Sequence, residues 1–389
     1  MVDSIHVARW ISQIEDQNWE VYLFPVELAF PHLELRNITV FAAKFFRMAL
    51  LDRSIRYIRW PSLSFYLDEL ISRLTHQSPN KFKEQALVRA IQSIKPDIVH
   101  SLEFQHAGYL TLTAKKKLGD KFPTWIATNW GSDIYLFGRL AEHRERVRAV
   151  LENCDYYSCE CERDVILARE YGLRGEVLSV FPNTSGFDLA KCEALRQPGN
   201  TSGRKIILLK GYQNWAGRAL TGLRALARCS DILKNYGYSI AIFSAGPDVK
   251  IAAELFALET GVPVEIIPPC SHTEMLKKYG QARIYIGLSI SDAISTSLLE
   301  SIVMGAFPVQ SCTACADEWI IDGQSGLIVP PEDVDLIEKA LRRALTDDAL
   351  VDQAAFLNRE TARKRLNSTV IQPKVIDFYQ HVYNSKLEK

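Results

Sequence analysis

Asp292-Ala-Ile-Ser-Thr-Ser-Leu-Leu-Glu300-Ser-Ile-Val-Met-Gly305-Ala-Phe-Pro308-Val309 is the stretch from which the rest of the chain can be read. Its apolar residues recur at helical spacing, a Gly closes the helix, and Phe-Pro-Val follows as a strand. One carboxylate stands in the loop ahead of the helix and another lies eight positions later inside it, so two acids can grip the two ends of one ligand. Between them the helix N-terminus offers backbone N–H groups without intrahelical partners and the positive end of the peptide dipole, a setting for a phosphate. A sugar joined to a nucleotide through a diphosphate has the matching shape: hydroxyls, anion, hydroxyls.

The stretch resembles the donor-binding signature of the retaining glycosyltransferases of family 4, which have the GT-B fold. The family pattern is Glu, seven residues, Glu; here Asp292 takes the first place with an arm one methylene shorter. The resemblance continues through Glu318-Trp-Ile-Ile-Asp322-Gly323-Gln-Ser-Gly326-Leu-Ile-Val-Pro330-Pro331, similar to the family's Glu-x-x-x-Asp-Gly-x-x-Gly-x-x-x-Pro run. It implies an α/β chain of the GT-B class: two doubly wound parallel-sheet (Rossmann-like) domains facing a cleft.

A length of 389 residues suits two domains, and 47% hydrophobic with 24% charged residues is ordinary globular composition. The formal net charge is zero, which gives no footprint for nucleic acid. No run of 18 apolar residues reads as a spanning helix, and Met1-Val-Asp-Ser-Ile-His6 has no basic-then-apolar signal pattern. The eight cysteines are scattered, and Cys312-Thr-Ala-Cys315 is a lone CxxC without a second pair. Reduced thiols and a cytoplasmic chain are the expectation.

The pattern along the chain alternates as βαβ units. About residues 5–17 read as an amphipathic helix, followed by a strand at 20–25. Helices over 81–94, 104–118, 139–151 and 162–171 lead to strands at 97–100, 124–128, 155–159 and 176–180. A polar linker, Gln197-Pro-Gly-Asn-Thr-Ser-Gly203, separates the halves. Strands at 205–209, 238–243, 264–267 and 283–287 then alternate with helices at 216–229, 247–260 and 272–280 and with the signature helix. The expected domains are 1–190 on the acceptor side, 204–366 on the nucleotide-sugar side, and a helical tail 367–389 returning to the first. Because helix one begins almost at Met1, the first domain reads as lacking the apolar strand with which such domains start, and a truncated start is the expectation. Losing a central strand would expose apolar neighbours and unpaired backbone groups.

Transfer from a nucleotide sugar must stabilise a departing diphosphate, and fixed positive groups are usually the largest contribution. Lys210 and Arg218 flank the loop after the first strand of the second domain. The resemblance assigns such a pair to the diphosphate, although each stands one position from the family's basic residue; together they offset its charge without a metal ion. By the same resemblance Glu300 accepts ribose hydroxyls, Asp292 contacts the transferred sugar near its anomeric carbon, and the N–H groups from Ile294, Ser295, Thr296 and Ser297 cradle sugar and phosphate. The hydroxyls of Thr296 and Ser297 serve equally well as helix caps. The base is expected near Pro268-Pro269-Cys270 and His272, with helix start as the alternative role for His272.

On the acceptor side, Asn129-Trp130-Gly131-Ser132-Asp133 is similar to the family's His-Gly-x-Asp turn, with Trp130 where the family has His. Asn129 or Ser132 can take over that contact, while Asp133 can equally cap the turn. His100, Glu103 and His106 follow a strand and are expected at the cleft mouth, with Glu103 as acceptor-hydroxyl partner or base. His6 lies in the first loop. The resemblance implies retention of configuration, by same-face attack or through a short-lived covalent intermediate, with no nucleophilic carboxylate assigned and no cofactor beyond a UDP- or GDP-sugar substrate.

Arg36 to Trp60 carries six basic residues against Asp52, interleaved with aromatics. Such a stretch can lie on an anionic membrane surface, which suits a lipid-linked or glycan acceptor at the inner face of the cell membrane; a buried helix with a solvated basic edge is the plainer reading. The expected function is glycosyl transfer in bacterial surface polysaccharide or lipopolysaccharide synthesis. The alternatives are a nucleotide-sugar 2-epimerase of the same fold and a non-catalytic nucleotide-sugar-binding subunit. The lack of a GxGxxG after an early strand argues against a dinucleotide dehydrogenase.

Overall fold

A computed structural model describes residues 2–27, 29–42, 55–59 and 81–388. The chain divides into two compact units, Met1–Ser185 with Gln372–Lys389, and Gly186–Ile371.

In the first unit, β1 (Tyr22–Leu23), β2 (Thr39–Ala42) and β3 (Arg56–Arg59) form one parallel sheet. β4 (Ile98–Leu102), β5 (Thr124–Thr128), β6 (Tyr156–Ser158) and β7 (Glu176–Val177) form a second. The helices Lys81–Ile94, Tyr109–Leu118, Ala141–Asn153 and Glu162–Glu170 precede the four strands of that second sheet in turn. Parallel strands need such crossovers, and helices over the sheet bury apolar runs like Trp125-Ile-Ala127 completely. Phe104, Trp125, Val147, Leu151 and Tyr157 make the core.

Among the described residues β1 and β4 are each paired on one side only, and no strand joins the two sheets. Ile98, Val99 and His100 are accordingly only half-buried. Most of the basic, aromatic 36–60 stretch, including Lys44, Arg47, Arg53 and Trp60, lies outside the described residues; its described ends are strands β2 and β3. Among the described residues no helix is long and apolar enough to cross a membrane.

The helix Ser368–Leu387 carries the chain back to the first unit. There Tyr379 Oη accepts from Trp10 Nε1 at 2.7 Å and meets His100 Nδ1 at 2.7 Å. His100 Nε2 lies 2.6 Å from Thr128 Oγ1. Both imidazole nitrogens are thus tied inward, and Trp10 stacks on Phe181 with ring centroids 5.9 Å apart.

The second unit is one parallel sheet of β8 (Ile206–Lys210), β9 (Ser239–Phe243), β10 (Val264–Ile267), β11 (Ala282–Gly287), β12 (Phe307–Ser311) and β13 (Leu327–Val329). Its order is β10-β9-β8-β11-β12-β13. Every residue of β11 and β12 is buried, as in a sheet covered on both faces. The strand order reverses between β8 and β11, and open α/β sheets bind ligands at the carboxyl ends of the strands flanking such a reversal. Lys210 ends β8 there, and the loop into the signature helix leaves β11 at Gly287.

The signature helix, Thr296–Met304, is buried from Ser297 to Met304. Gly305 ends it with φ +74°, a left-handed conformation that glycine adopts without Cβ strain. The segment where a polar linker is expected packs against this end. Arg196 Nε donates to Val303 O at 3.1 Å, Arg204 Nη1 to Met304 O at 3.2 Å, and Thr201 Oγ1 to Gly305 O at 2.8 Å. Burial, with Arg196 as a further cation nearby, pulls the Arg204 pKa down to about 10.

Burial lowers the His100 pKa from 6.5 to about 3. Below pH 6.5 the unfolded chain therefore binds a proton that the folded chain refuses. The contribution to stability is complete above pH 6.5 and is lost as pH falls toward 3. With the ring half-buried, the loss between pH 7 and 5 should be about 1–2 kcal/mol. Thermal unfolding of wild type and His100→Gln over this range should show the steeper acid loss in wild type; parallel profiles would mean that the imidazole titrates alike in both states.

Candidate functional site

At the reversal of the second sheet, Ser295 precedes the signature helix in an extended conformation (φ −69°, ψ 115°), and its hydroxyl caps no backbone N–H. Instead it accepts from Lys210 Nζ at 3.3 Å. The same ammonium sits 4.6 Å from the ring centroid of Tyr212. The N–H groups of Thr296 and Ser297, at the start of the helix, have no intrahelical acceptor by construction. The structure thus brings together Lys210, Ser295 and the positive helix end. Ile294 is buried just before it, and Asp292 is half-buried with its N–H directed to Thr313 O at 3.3 Å.

Glu300, 7% exposed, is one turn into the helix, and its Oε1 lies 2.8 Å from His272 Nε2. His272 opens the helix His272–Gln281, whose start carries a complete capping box between Ser271 and Glu274. Cap and catch are therefore separate jobs: Ser271 closes the helix end and leaves the imidazole to face Glu300. Sequence reasoning did not find the two tyrosines below. Tyr279 and Tyr285 are fully buried with ring centroids 5.7 Å apart. Burial pushes both hydroxyls well up, with the Glu300 charge adding to the effect at each. Their spacing in the sequence is that of ordinary core aromatics, so no signal marked them.

Arg218 has other partners than Lys210. It precedes the helix Ala219–Arg228, and its Nε donates to Glu332 Oε1 at 2.8 Å while Nη1 donates to Gly217 O at 2.9 Å. Its own N–H donates to Leu288 O at 3.0 Å, which ties the loop after β8 to the loop after β11.

In the first unit, Glu103 follows β4 with φ 73° and ψ 158°, a region that side-chain-bearing residues rarely occupy. Its carboxylate accepts from His106 N at 2.7 Å and Ala107 N at 2.5 Å, and lies 3.3 Å from His106 Nδ1. Those bonds repay part of the backbone strain. Hydrogen bonding to Glu103 raises the His106 pKa in spite of partial burial, with the Glu103 and Glu27 charges adding. His106 Nε2 is 3.7 Å from Glu27 Oε1, a partner that the sequence did not suggest. His6 meets Trp130 edge to face, with centroids 6.1 Å apart.

The turn after β5 is built inward. Asn129 is fully buried; its Nδ2 donates to Asp164 Oδ2 at 2.8 Å and its Oδ1 accepts from Tyr157 Oη. Asp133 accepts from Trp130 N at 2.7 Å and Phe104 N at 3.1 Å, binding this turn to the one after β4. Burial, then the Glu103 charge, raises its pKa well above the usual carboxylate range. Ser132 is buried beside it. His100, expected at a cleft mouth, instead faces Tyr379 and Thr128, because the returning helix supplies a hydroxyl the sequence gave no means of placing. No disulfide joins any of the eight cysteines; Cys312 is exposed and Cys315 buried.

Residues 1–159 match the family model described as Glycosyl transferase 4-like, and residues 226–364 the one described as Glycosyl transferases group 1. No curated protein matches the chain by sequence. Among solved structures the chain is similar to a glycosyltransferase from Rickettsia africae, at 15% identity and TM-score 0.64 over 90% of this chain and 91% of that one. It is similar to a sucrose-phosphate synthase from Thermosynechococcus elongatus, at 17% and 0.64 over 90% and 89%. It is also similar to the Anabaena HepE protein in complex with UDP-glucose, at 12% and 0.62 over 88% and 91%.

The inward bonding of Asn129 makes it a brace. Asn129→Ala should cost about 2–3 kcal/mol by leaving Asp164 and Tyr157 short of partners. Thermal unfolding checks this; an unchanged midpoint together with lost enzymatic activity would instead place Asn129 at the substrate.

Proposed function

The chain belongs to the group 1 glycosyltransferases and has their GT-B fold, and from that premise we propose that it transfers a sugar, with retention of configuration and without a metal ion, from a nucleotide sugar to a glycan or lipid-linked acceptor. The observation that carries this reading is the arrangement at the sheet reversal: Lys210 held 3.3 Å from Ser295 Oγ at the start of a buried helix, with Asp292 before that helix and Glu300 within it. A diphosphate placed there meets an ammonium and two backbone N–H groups. The carboxylates on either side suit the hydroxyls of the sugar and of the ribose.

In the reaction, the bond between the anomeric carbon and the phosphate oxygen breaks and its electron pair leaves with the diphosphate. The acceptor hydroxyl oxygen bonds to the same face of the anomeric carbon, and its proton passes to the departing phosphate oxygen. Lys210 and the helix end stabilise the charge that develops. Glu300 must exchange His272 for ribose hydroxyls or share its second oxygen between them. The strained Glu103, with His106 beside it, is the acceptor-side candidate, since strain held by a hydrogen-bonded frame is characteristic of functional positions. A role in bacterial surface polysaccharide or lipopolysaccharide synthesis, at the inner membrane face through residues 36–60, belongs to the same proposal and is motivated by the basic, aromatic sequence there.

Thermal-shift screening with UDP-, GDP-, ADP- and dTDP-sugars should single out one base by stabilisation through mass action. With that nucleotide, Glu300→Ala should weaken binding by about tenfold or more through loss of charged hydrogen bonds. Unweakened binding would remove Glu300 from the site. NMR of the product should show the anomeric configuration of the donor preserved; an epimerised donor in the absence of acceptor would favour the 2-epimerase instead.

A further inference from the structure

The loop Gly211-Tyr-Gln-Asn-Trp-Ala-Gly217 is fixed on every side by its backbone and polar groups, yet it turns its two aromatic side chains outward. Gly211 N donates to Phe243 O at 2.8 Å and Ala219 N to Tyr212 O at 3.0 Å. Asn214 Oδ1 accepts from Ala216 N at 2.9 Å and Gly217 N at 2.8 Å, and Gln213 Oε1 from Leu220 N at 3.1 Å. Ile290 N donates to Ala216 O at 2.9 Å, two residues before Asp292. The loop closes so tightly that a Cβ on Gly217 would fall 2.3 Å from Tyr212 O. Against this rigid frame Tyr212 is 46% and Trp215 58% exposed.

A tryptophan normally buries 150–250 Å² of largely apolar surface. Trp215, more than half exposed on a pinned loop, presents a rigid aromatic face that a ligand can meet at little entropic cost on binding. The neighbourhood names the ligand. Tyr212 holds the Lys210 ammonium 4.6 Å from its ring centroid, and that ammonium reaches Ser295 at the helix start. Tyr212 therefore borders the place where the diphosphate is proposed to lie, and Trp215 shares its pinned loop, whose Ala216 O accepts from Ile290 N just ahead of Asp292. A pyranose attached to that diphosphate has one edge of hydroxyls and a face of C–H groups; the hydroxyls suit Asp292 and the C–H face suits an indole. Resting on the nucleotide-sugar reading above, we propose that Trp215 is the stacking platform for the transferred sugar. Tyr212 is a positioning residue that keeps Lys210 aimed at the helix start.

The test uses the whole chain and two probes on the base the screen selects, for example UDP and UDP-glucose, with dissociation constants from calorimetry. Trp215→Ala should weaken the nucleotide sugar about fivefold while the bare nucleoside diphosphate stays within about twofold, and Trp215→Phe should restore most of the loss. Tyr212→Ala should weaken both probes, and Tyr212→Phe, which keeps the ring, should not. Nucleotide-sugar affinity unchanged in Trp215→Ala overturns the inference alone. Equal losses for both probes also overturn it, since the wall would then serve the nucleotide. A wild-type protein that binds no nucleotide sugar overturns the transferase reading, and the platform with it.

Discussion

The signature helix is gripped at its negative end and left open at its positive one. Two guanidiniums and a hydroxyl, from Arg196, Arg204 and Thr201, close on the carbonyls of Val303, Met304 and Gly305. Arg204 is 3% exposed and also donates to Ala282 O at the start of β11, at 3.1 Å. It therefore locks the end of the helix to the strand whose far end feeds the helix start. Buried cations at the C-terminus complement the dipole, and the orphan carbonyls there find partners without water. With that end immovable, the N–H groups of the other end have a fixed address, which is what electrostatic preorganisation requires.

Much of the second unit was legible because its inner strands are buried on both faces and read as apolar runs, and the edge strand Val264–Ile267 stays apolar apart from Glu265. The strand at 264–267 and the helix at 247–260 stand where periodicity put them. The Arg–carbonyl clamp was not legible. Arg196 and Arg204 flank a stretch rich in Pro, Gly, Asn and Ser, which by composition is a linker. Only the tertiary position of the Val303–Gly305 carbonyls, about a hundred residues on, turns its flanks into a clamp. The pairing of His272 with Glu300 is of the same kind: each residue was singled out, but contact between them depends on two adjacent helices.

In the first unit polar residues after parallel strands were read as facing a ligand, because that is where such sheets bind, with a cap of the turn as the equal alternative for Asp133. Strand ends, however, also carry backbone groups that must be paired. Asp133 meets that demand by accepting from Trp130 N and Phe104 N, which joins the turns after β4 and β5, while the Asn129 amide ties the side chains of Asp164 and Tyr157. His100 turns into the aromatic cluster of Trp10, Phe378 and Tyr379. Glu103 differs from these in one respect that sequence cannot display: its positive φ. A carboxylate held on a strained backbone is a different object from one that caps a turn in comfort, and the two have the same letter.

The two cations of the donor loop were read as equals, and the structure gives them unequal standing. Lys210 already touches the helix start, whereas Arg218 is engaged with Glu332, whose side chain is 66% exposed. An ion pair with so exposed a partner is worth about 0–1 kcal/mol, while a diphosphate offers a larger charge and bidentate oxygens that match a guanidinium. Releasing Glu332 is therefore a small cost for Arg218. The hydrogen bonds from its Nη1 to Asn214 O and Gly217 O meanwhile keep the side chain on the loop. On the proposed reading the loop holds one cation in place and a second in reserve, and the difference between them lies in Glu332, the acid that closes the Pro330-Pro331-Glu332 run.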